Sequence, residues 1–360
     1  MKRAVLVAFA LGLMAQGAYA IPPDHAPAHG WRERNKNCTD REDSATRFDL
    51  PVGGGRATGH FALPDRAPKA LVVFAHGYGH TSYSWTHHMR RVSATHDAVT
   101  VAMDYRGTEI VGTKPNGVPD SRGWPAQAGA EDLVAAARFL QDKCRPIKTT
   151  ILMGVSMGAN MSGLAVALAP GVFDQWIDVE GAVNVTETYL EASGVALSGN
   201  ATAVNAQQDI EEEMGGSFFE VPETYAERSV VTRAEEISSN VDGVTIIHGL
   251  DDGLVPYNQS RELATLLGLL QEPLDLFTIH RRSPDSEQET TGTGYVGGAL
   301  CSDYRSPLAG HASEMSTTHI VMTTAFDQLA RMLADGYAPG PYAETIVDGG
   351  WTPEPPEDCG

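Results

Sequence analysis

The sequence predicts an α/β protein with a mostly parallel central sheet and helices on both faces. Three features predict it. Continuous apolar, β-branched runs recur at residues 70–75, 98–103 and 149–154, as expected for strands buried on both sides rather than strands with one wet face. Segments with apolar residues at helical spacing separate these runs, which is the rhythm of a parallel sheet with crossover helices. Gly154-Val155-Ser156-Met157-Gly158 stands directly between one such strand and a helix of small residues, the punctuation of a tight strand-to-helix turn.

The elements follow in order. Residues 1–20 carry Lys2 and Arg3, an apolar run from Ala4 to Ala15, and small residues ending Ala18-Tyr19-Ala20. This is the pattern of a secretory signal peptide, so an exported protein, extracellular or periplasmic, starting near Ile21 is expected. The run is shorter than the roughly 20 residues that cross a bilayer, and no later stretch is long and apolar enough to do so. Residues 21–44 read as a surface lead-in rich in Pro, His and Arg.

Residues 45–335 form the main domain. Short antiparallel strands are expected at 47–50 and 57–63, followed by strand 70–75, helix 84–95, strand 98–103 and helix 129–143. Strand 149–154, helix 157–168, strand 175–179, strand 244–248, helix 260–270, a final strand 274–280 and an amphipathic helix 314–333 complete the series. Two long insertions interrupt it. Residues from about 183 to 240 are expected to form a small cap over one end of the sheet, with Asp209, Glu211, Glu212 and Glu213 as a solvated helix face. Residues 281–310, rich in Ser, Thr and Gly, read as a surface excursion, and the tail 336–360 has no periodicity.

Composition narrows the function. The 360 residues carry 26 Lys and Arg against 46 Asp and Glu, a formal charge of −20 that would repel phosphate backbones and anionic headgroups. Nucleic acid is therefore not an expected partner, and the acidity reads as solubility. Cys38, Cys144, Cys301 and Cys359 all lie in the exported part, where an oxidising environment permits disulfides. Two bridges are expected, and four cysteines allow three pairings among which the sequence does not choose. No pair has CxxC or zinc-ligand spacing, so a catalytic thiol is not expected. His87 and His88 are adjacent on a helix and diverge, and no metal or organic cofactor is implied.

Four segments carry chemistry, each at a strand end or before the last helix. In the turn around Ser156, glycines stand where side chains would clash while the hydroxyl is lifted to a helix N-terminus, the setting of a nucleophile. His76-Gly77-Tyr78-Gly79 follows strand 70–75; its Tyr78 N–H and the Met157 N–H are the expected oxyanion hole, with His76 shaping the loop. His248-Gly249-Leu250-Asp251-Asp252-Gly253-Leu254-Val255-Pro256 follows strand 244–248 and offers a carboxylate to orient a histidine. Asp252 fits the spacing better than Asp251. The base must follow the acid, which leaves His280, His311 and His319; His311, in the loop Ala309-Gly310-His311-Ala312-Ser313, reaches back over the sheet edge most readily.

With these residues in place, the chain resembles the α/β-hydrolase superfamily from about Ala45 to Leu333. Glu213-Met214-Gly215-Gly216, Pro222-Glu223-Thr224-Tyr225 and Ser229, leading into His248-Gly249 and Val255-Pro256, look like the catalytic domain of prolyl oligopeptidase-type peptidases and related acetyl esterases. Tyr78 and Met157 are also found in secreted cutinase-like and polyester hydrolases. The resemblance implies a serine esterase acting on a small-molecule or polymeric ester, with a prolyl oligopeptidase-like peptidase or a polyester hydrolase as the alternatives; a monomer is expected. Tyr78, Trp85, Trp124 and Trp176 are candidates to line an aromatic acyl groove, Trp85 and Trp176 being put forward for substrate contact. A noncatalytic binding protein on this fold would be expected to have lost a member of the Ser-His-Asp set, and all three are present.

Overall fold

The computed structural model describes residues 38–39, 45–53, 55–115, 117–250, 252–279 and 311–347, together with the backbone of 291–296 and 299–305. In chain order the strands are β1 (Thr46–Val52), β2 (Gly55–Ala62), β3 (Ala70–Ala75), β4 (Ala98–Met103), β5 (Glu109–Thr113), β6 (Pro119–Arg122) and β7 (Thr149–Val155). They continue with β8 (Gln175–Val179), β9 (Gly243–Gly249), β10 (Leu274–Ile279), β11 (Thr291–Val296), β12 (Ala299–Arg305) and β13 (Ala343–Val347). The helices are α1 (Thr86–His96), α2 (Ala126–Lys143), α3 (Met157–Leu168), α4 (Val185–Ala196) and α5 (Ala201–Met214). After them come α6 (Pro222–Arg228), α7 (Ala234–Asn240), α8 (Tyr257–Leu269) and α9 (Ile320–Met332).

Nine strands form one sheet in the order β1-β2-β4-β3-β7-β8-β9-β10-β13. The pairs β1–β2 and β2–β4 are antiparallel; from β4 through β13 every pairing is parallel. The class is the expected α/β one. Successive side chains of β3 feed opposite faces, Leu71, Val73 and Ala75 into one core and Val72 and Phe74 into the other, which is why its sequence is apolar without alternation. Leu133 of α2, Leu164 of α3 and Leu263 of α8 pack on the first face; Met89 and Val92 of α1 with Met322 and Leu329 of α9 pack on the second.

The register places the chemistry. Ala75 pairs with Gly154, Val155 with Val179, and Val179 with Ile247, so β3, β7, β8 and β9 end level at one carboxyl edge. That edge is where an open parallel sheet binds ligands.

Several elements differ from the expectation. The hairpin β5–β6 was not foreseen, because all five residues of β5 are exposed and carry no apolar alternation. The strand at residues 274–279 is not the last, since β13 from the tail adds beside it in parallel. The last helix starts at Ile320 rather than 314. Ser316 Oγ accepts the His319 N–H at 2.9 Å, and His319 Nδ1 accepts the Val321 N–H at 3.3 Å, which caps the helix there. Cys38 is bonded to Cys144, tying the lead-in to the end of α2. The side chains of Cys301 and Cys359 lie outside the described residues.

Trp85 and Trp176 do not line a groove. Both are fully buried core residues: Trp85 stacks on Phe74 with ring centroids 4.7 Å apart, and Trp176 donates Nε1–H to Ser162 Oγ at 2.9 Å behind α3. Their positions in the sequence, one entering α1 and one inside β8, face the two cores and not the sheet edge.

Candidate active site

The turn between β7 and α3 is built around one strained residue. Ser156 has φ 56° and ψ −124°, a conformation that costs a non-glycine residue energy and that surrounding contacts must hold. Ser156 N–H donates to Val179 O at 2.9 Å, and Ala182 N–H donates to Ser156 O at 3.2 Å. The flanking glycines are steric necessities. A Cβ at 154 would lie 2.4 Å from Gly158 O, and one at 158 would lie 2.3 Å from Ala75 O. Ser156 is the N-cap of α3, so the first N–H groups of that helix, beginning at Met157, have no intrahelical acceptor and carry the positive end of the helix dipole.

Asp252 and His311, separated by 59 residues, meet above the same edge: His311 Nδ1–H donates to Asp252 Oδ2 at 2.6 Å. The bond fixes the proton on Nδ1 and leaves Nε2 as the basic nitrogen. Asp252 is itself anchored. Asp252 Oδ1 accepts the N–H groups of Leu254 at 2.8 Å and Val255 at 2.9 Å. His248 braces the loop from beneath, donating Nε2–H to Val255 O and accepting at Nδ1 from Ser260 Oγ, both at 2.7 Å. Burial opposes charge on Asp252, but the His311 charge and hydrogen bonds from His248 and His311 outweigh it and hold the carboxyl well below its ordinary value. Burial likewise opposes charge on His311, and Asp252, Glu180 and Glu314 together push its pKa up to about 9. Asp251 and His280, the rival acid and base, lie outside the described residues; His319 is the cap of α9.

The loop after β3 lies beside the serine. A Cβ at Gly77 would be 3.4 Å from Ser156 Cβ. His76 is fully buried, stacked on Tyr105 at 4.1 Å with Nδ1–H donated to Gly77 O at 2.9 Å, a loop-shaping part. Gly77 N–H is spent on Glu314 Oε1 at 2.9 Å. Tyr78, next in the loop, donates its hydroxyl to Asp209 Oδ2 at 2.5 Å, and its ring lies 6.2 Å from that of Trp124.

Asp209 overturns the reading of the acidic cluster as a solvated face. Its side chain is almost fully buried, paired with Arg122 Nη2 at 2.6 Å and accepting Gly123 N–H at 2.9 Å. Glu211 accepts from the Tyr189 hydroxyl at 2.6 Å and Glu213 from Gln127 N–H at 3.2 Å, while Glu212 is exposed. Helix α5 thus docks through Asp209 on the loop after β3 and the end of β6 and through Glu213 on the start of α2, while Glu211 ties it to α4. Of the other segments that carried the sequence likeness, Gly215 ends α5 at φ 83° and the Tyr225 hydroxyl donates to Gly216 O at 3.1 Å, both inside the cap.

Two further carboxylates were missed. Glu314, three residues after His311, holds the Gly77 N–H. Glu180, fully buried at the end of β8, accepts Ala312 N–H on Oε2 at 2.6 Å and Gly249 N–H on Oε1 at 3.3 Å, with Oε2 3.5 Å from His311 Nδ1. Neither sits in a recognisable motif; the sequence signal available was an acidic residue at a strand end, Asp178-Val179-Glu180-Gly181, two residues past a buried strand position. Glu180, Asp252 and His311 bring potential ligand atoms within 4.8 Å of one another, but those atoms are engaged in the bonds just described.

The Alpha/beta hydrolase family model matches residues 72–285, more than half of the chain and the span from β3 to just past β10. The chain belongs to the alpha/beta hydrolase family. Solved structures with some similarity to this chain include an acylaminoacyl peptidase of Pyrococcus horikoshii, 16% identical with TM-score 0.49 over 65% of this chain and 36% of that one. A puromycin-hydrolyzing peptidase of Mycobacterium tuberculosis is 18% identical, with TM-score 0.49 over 79% of this chain and 39% of that one. Dipeptidyl peptidase 4 of Porphyromonas gingivalis is 15% identical, with TM-score 0.48 over 65% and 31%. This alpha/beta hydrolase chain therefore spans about two fifths or less of the length of those proteins. Among the described residues, no helix is long and apolar enough to cross a membrane.

Proposed function

We propose that the protein is a serine hydrolase that cleaves a carboxylic acyl bond through an acyl-enzyme intermediate, with Ser156 as nucleophile, His311 as base and Asp252 as its orienting acid. The observation that carries this reading is the 2.6 Å bond from His311 Nδ1 to Asp252 Oδ2 at the same sheet edge as Ser156, which is held at φ 56°. Ser156 Oγ attacks the substrate carbonyl carbon while its proton passes to His311 Nε2. Charge that develops on the carbonyl oxygen meets the N–H of Met157 at the start of α3 and that of Tyr78; the Gly77 N–H is already committed to Glu314. His311 then protonates the leaving group, and a water activated by the same nitrogen releases the acid.

An ester is the first substrate class proposed, acted on as a small molecule or a polymer. The second is an acyl or peptide amide, favoured by the cap segments similar to prolyl oligopeptidase-type domains. Export is proposed on residues 1–20, and an N-terminus at Ile21 in secreted material would support it.

The test is purified protein on a short-to-long series of aryl esters beside an aminoacyl aryl amide, with Ser156→Ala and His311→Ala run in parallel. Turnover lost in both variants is expected, by on the order of 10⁴-fold or more. Amide turnover exceeding ester turnover would select the peptidase reading. Activity surviving Ser156→Ala would overturn the mechanism.

A further inference from the structure

Glu180 is placed where a carboxylate is costly unless it is used. It is fully buried, and its backbone has φ 48°, the left-handed region, with its N–H donated to Ile247 O at 2.9 Å. That twist turns the side chain off the end of β8 and under the base loop. There one carboxylate spans two loops: Oε1 takes the N–H of Gly249, which opens the acid loop, and Oε2 takes the N–H of Ala312, which follows the base. Oε2 also lies 3.5 Å from His311 Nδ1, the nitrogen that Asp252 holds. A buried carboxylate is stabilised by pairing with positive charge, and the imidazolium formed when the serine gives up its proton supplies it.

We propose that Glu180 is a positioning residue for the base: a second carboxylate that shares the Nδ1 side of His311 with Asp252, raises its basicity and keeps it oriented when Asp252 is neutralised. This rests on His311 being the base. The titratable groups facing the imidazole are Asp252 from the loop after β9, Glu180 from the end of β8, Glu314 from the imidazole's own loop, and His80 from the loop after β3. Glu180 differs from Asp252 in also bonding the backbone next to the base, so it fixes where the ring stands as well as its charge.

The experiment compares wild type, Glu180→Gln, Glu180→Asp, Asp252→Asn and the Glu180→Gln/Asp252→Asn double variant. It reads the pH profile of kcat/KM and, independently of turnover, the His311 titration by nuclear magnetic resonance in the Ser156→Ala background. Glu180→Gln removes the charge and keeps one oxygen acceptor, so that one of the two backbone N–H groups stays bonded while the other faces the amide NH₂. It is expected to move both the acid limb and the His311 titration to lower pH by about one unit, the scale of one nearby opposite charge. Glu180→Asp restores most of the shift, and the double variant loses at least about tenfold more activity than Asp252→Asn. A His311 titration unmoved in Glu180→Gln, with only the unfolding midpoint lowered, would overturn the proposal and leave Glu180 a backbone tie. If wild type turned over no acyl substrate the hydrolase reading would fail, and the resonance titration would still decide whether Glu180 acts on His311.

Discussion

The Gly77 N–H and the Glu314 carboxylate are joined at 2.9 Å, so the loop facing Ser156 hangs from a residue three places after His311. Two loops far apart in sequence, one after β3 and one before α9, are thereby tied by one bond: a shift of the His311 loop drags the Gly77 loop with it. Burial opposes the charge on Glu314, yet His80 and the Gly77 N–H keep its carboxyl below the ordinary range.

Removing that acceptor strands a buried N–H. Glu314→Ala is expected to cost about 1–3 kcal/mol of stability and to lower kcat more than it raises KM, because a displaced Tyr78 N–H, the proposed oxyanion donor, weakens transition-state stabilisation more than substrate binding. Glu314→Gln, which can still accept from Gly77, should recover most of the loss. Urea unfolding and steady-state kinetics on the two variants check this. Equal behaviour of both variants in kinetics and unfolding would mean the bond sets neither loop.

Activity should have an alkaline optimum. In the proposed mechanism His311 must be neutral to take the serine proton, and with its pKa pushed up to about 9, kcat/KM is expected to climb as pH rises toward and through that value. Stability runs the other way. The His311 pKa is higher folded than unfolded, so its contribution is complete below about 6.5, its unfolded value, and is lost as pH rises through about 9. The Asp252 pKa is depressed on folding, so its contribution is present above about 3.9 and is lost as pH falls toward its folded value. The most active pH is therefore expected to lie above the most stable one, which rate profiles and thermal midpoints taken across the same buffers would show.

The fold was legible because its strands are short, apolar and β-branched on both faces, a pattern few other architectures produce. That Asp252 and His311 pair was legible for a different reason: an expected order of nucleophile, acid and base limits the candidates to a few loops. What escaped were carboxylates with no motif. Asp209 reads as part of a solvated acidic run, and only the approach of Tyr78, Arg122 and Gly123 from more than 80 residues away shows it to be a docking point. Glu314 reads as the first residue of a helix, but its pairing with Gly77, 237 residues away, keeps it in the loop. Long-range hydrogen bonds leave no period in the sequence. The aromatic assignments failed because Trp85 and Trp176 obey the common rule that large apolar rings fill the core.

The cap should be separable from the chemistry. Asp209 joins α5 to Tyr78, Arg122 and Gly123 at once, so Asp209→Ala leaves an arginine, a hydroxyl and a backbone N–H without their acceptor. A loss of about 1–3 kcal/mol is expected, with KM raised as the cap loosens. Tyr78→Phe removes only the hydroxyl, and since the backbone N–H is the proposed oxyanion donor, kcat should stay within about threefold of wild type on electrostatic grounds. A collapse of kcat in Tyr78→Phe with an unchanged unfolding midpoint would assign the hydroxyl itself a chemical part.

Ser156 itself should cost the fold stability. At φ 56° and ψ −124° it is held off the regions that side chains prefer, and the glycines at 154 and 158 exist because the backbones of β3, β7 and α3 come too close for a Cβ. Ser156→Gly relieves that strain and should raise stability by about 1–3 kcal/mol less the entropy that a glycine adds to the unfolded chain. Ser156→Ala keeps the Cβ and the strain, so it should lose activity with little gain in stability. Gly158→Ala should destabilise strongly, because the obstructing atom, Ala75 O at 2.3 Å, belongs to a central strand that cannot retreat. Unfolding midpoints in the order Ser156→Gly above Ser156→Ala, and Gly158→Ala far below wild type, are the expected result. If Ser156→Gly proved no more stable than Ser156→Ala, the energy of the turn would reside in the helix end and its packing, not in the serine backbone.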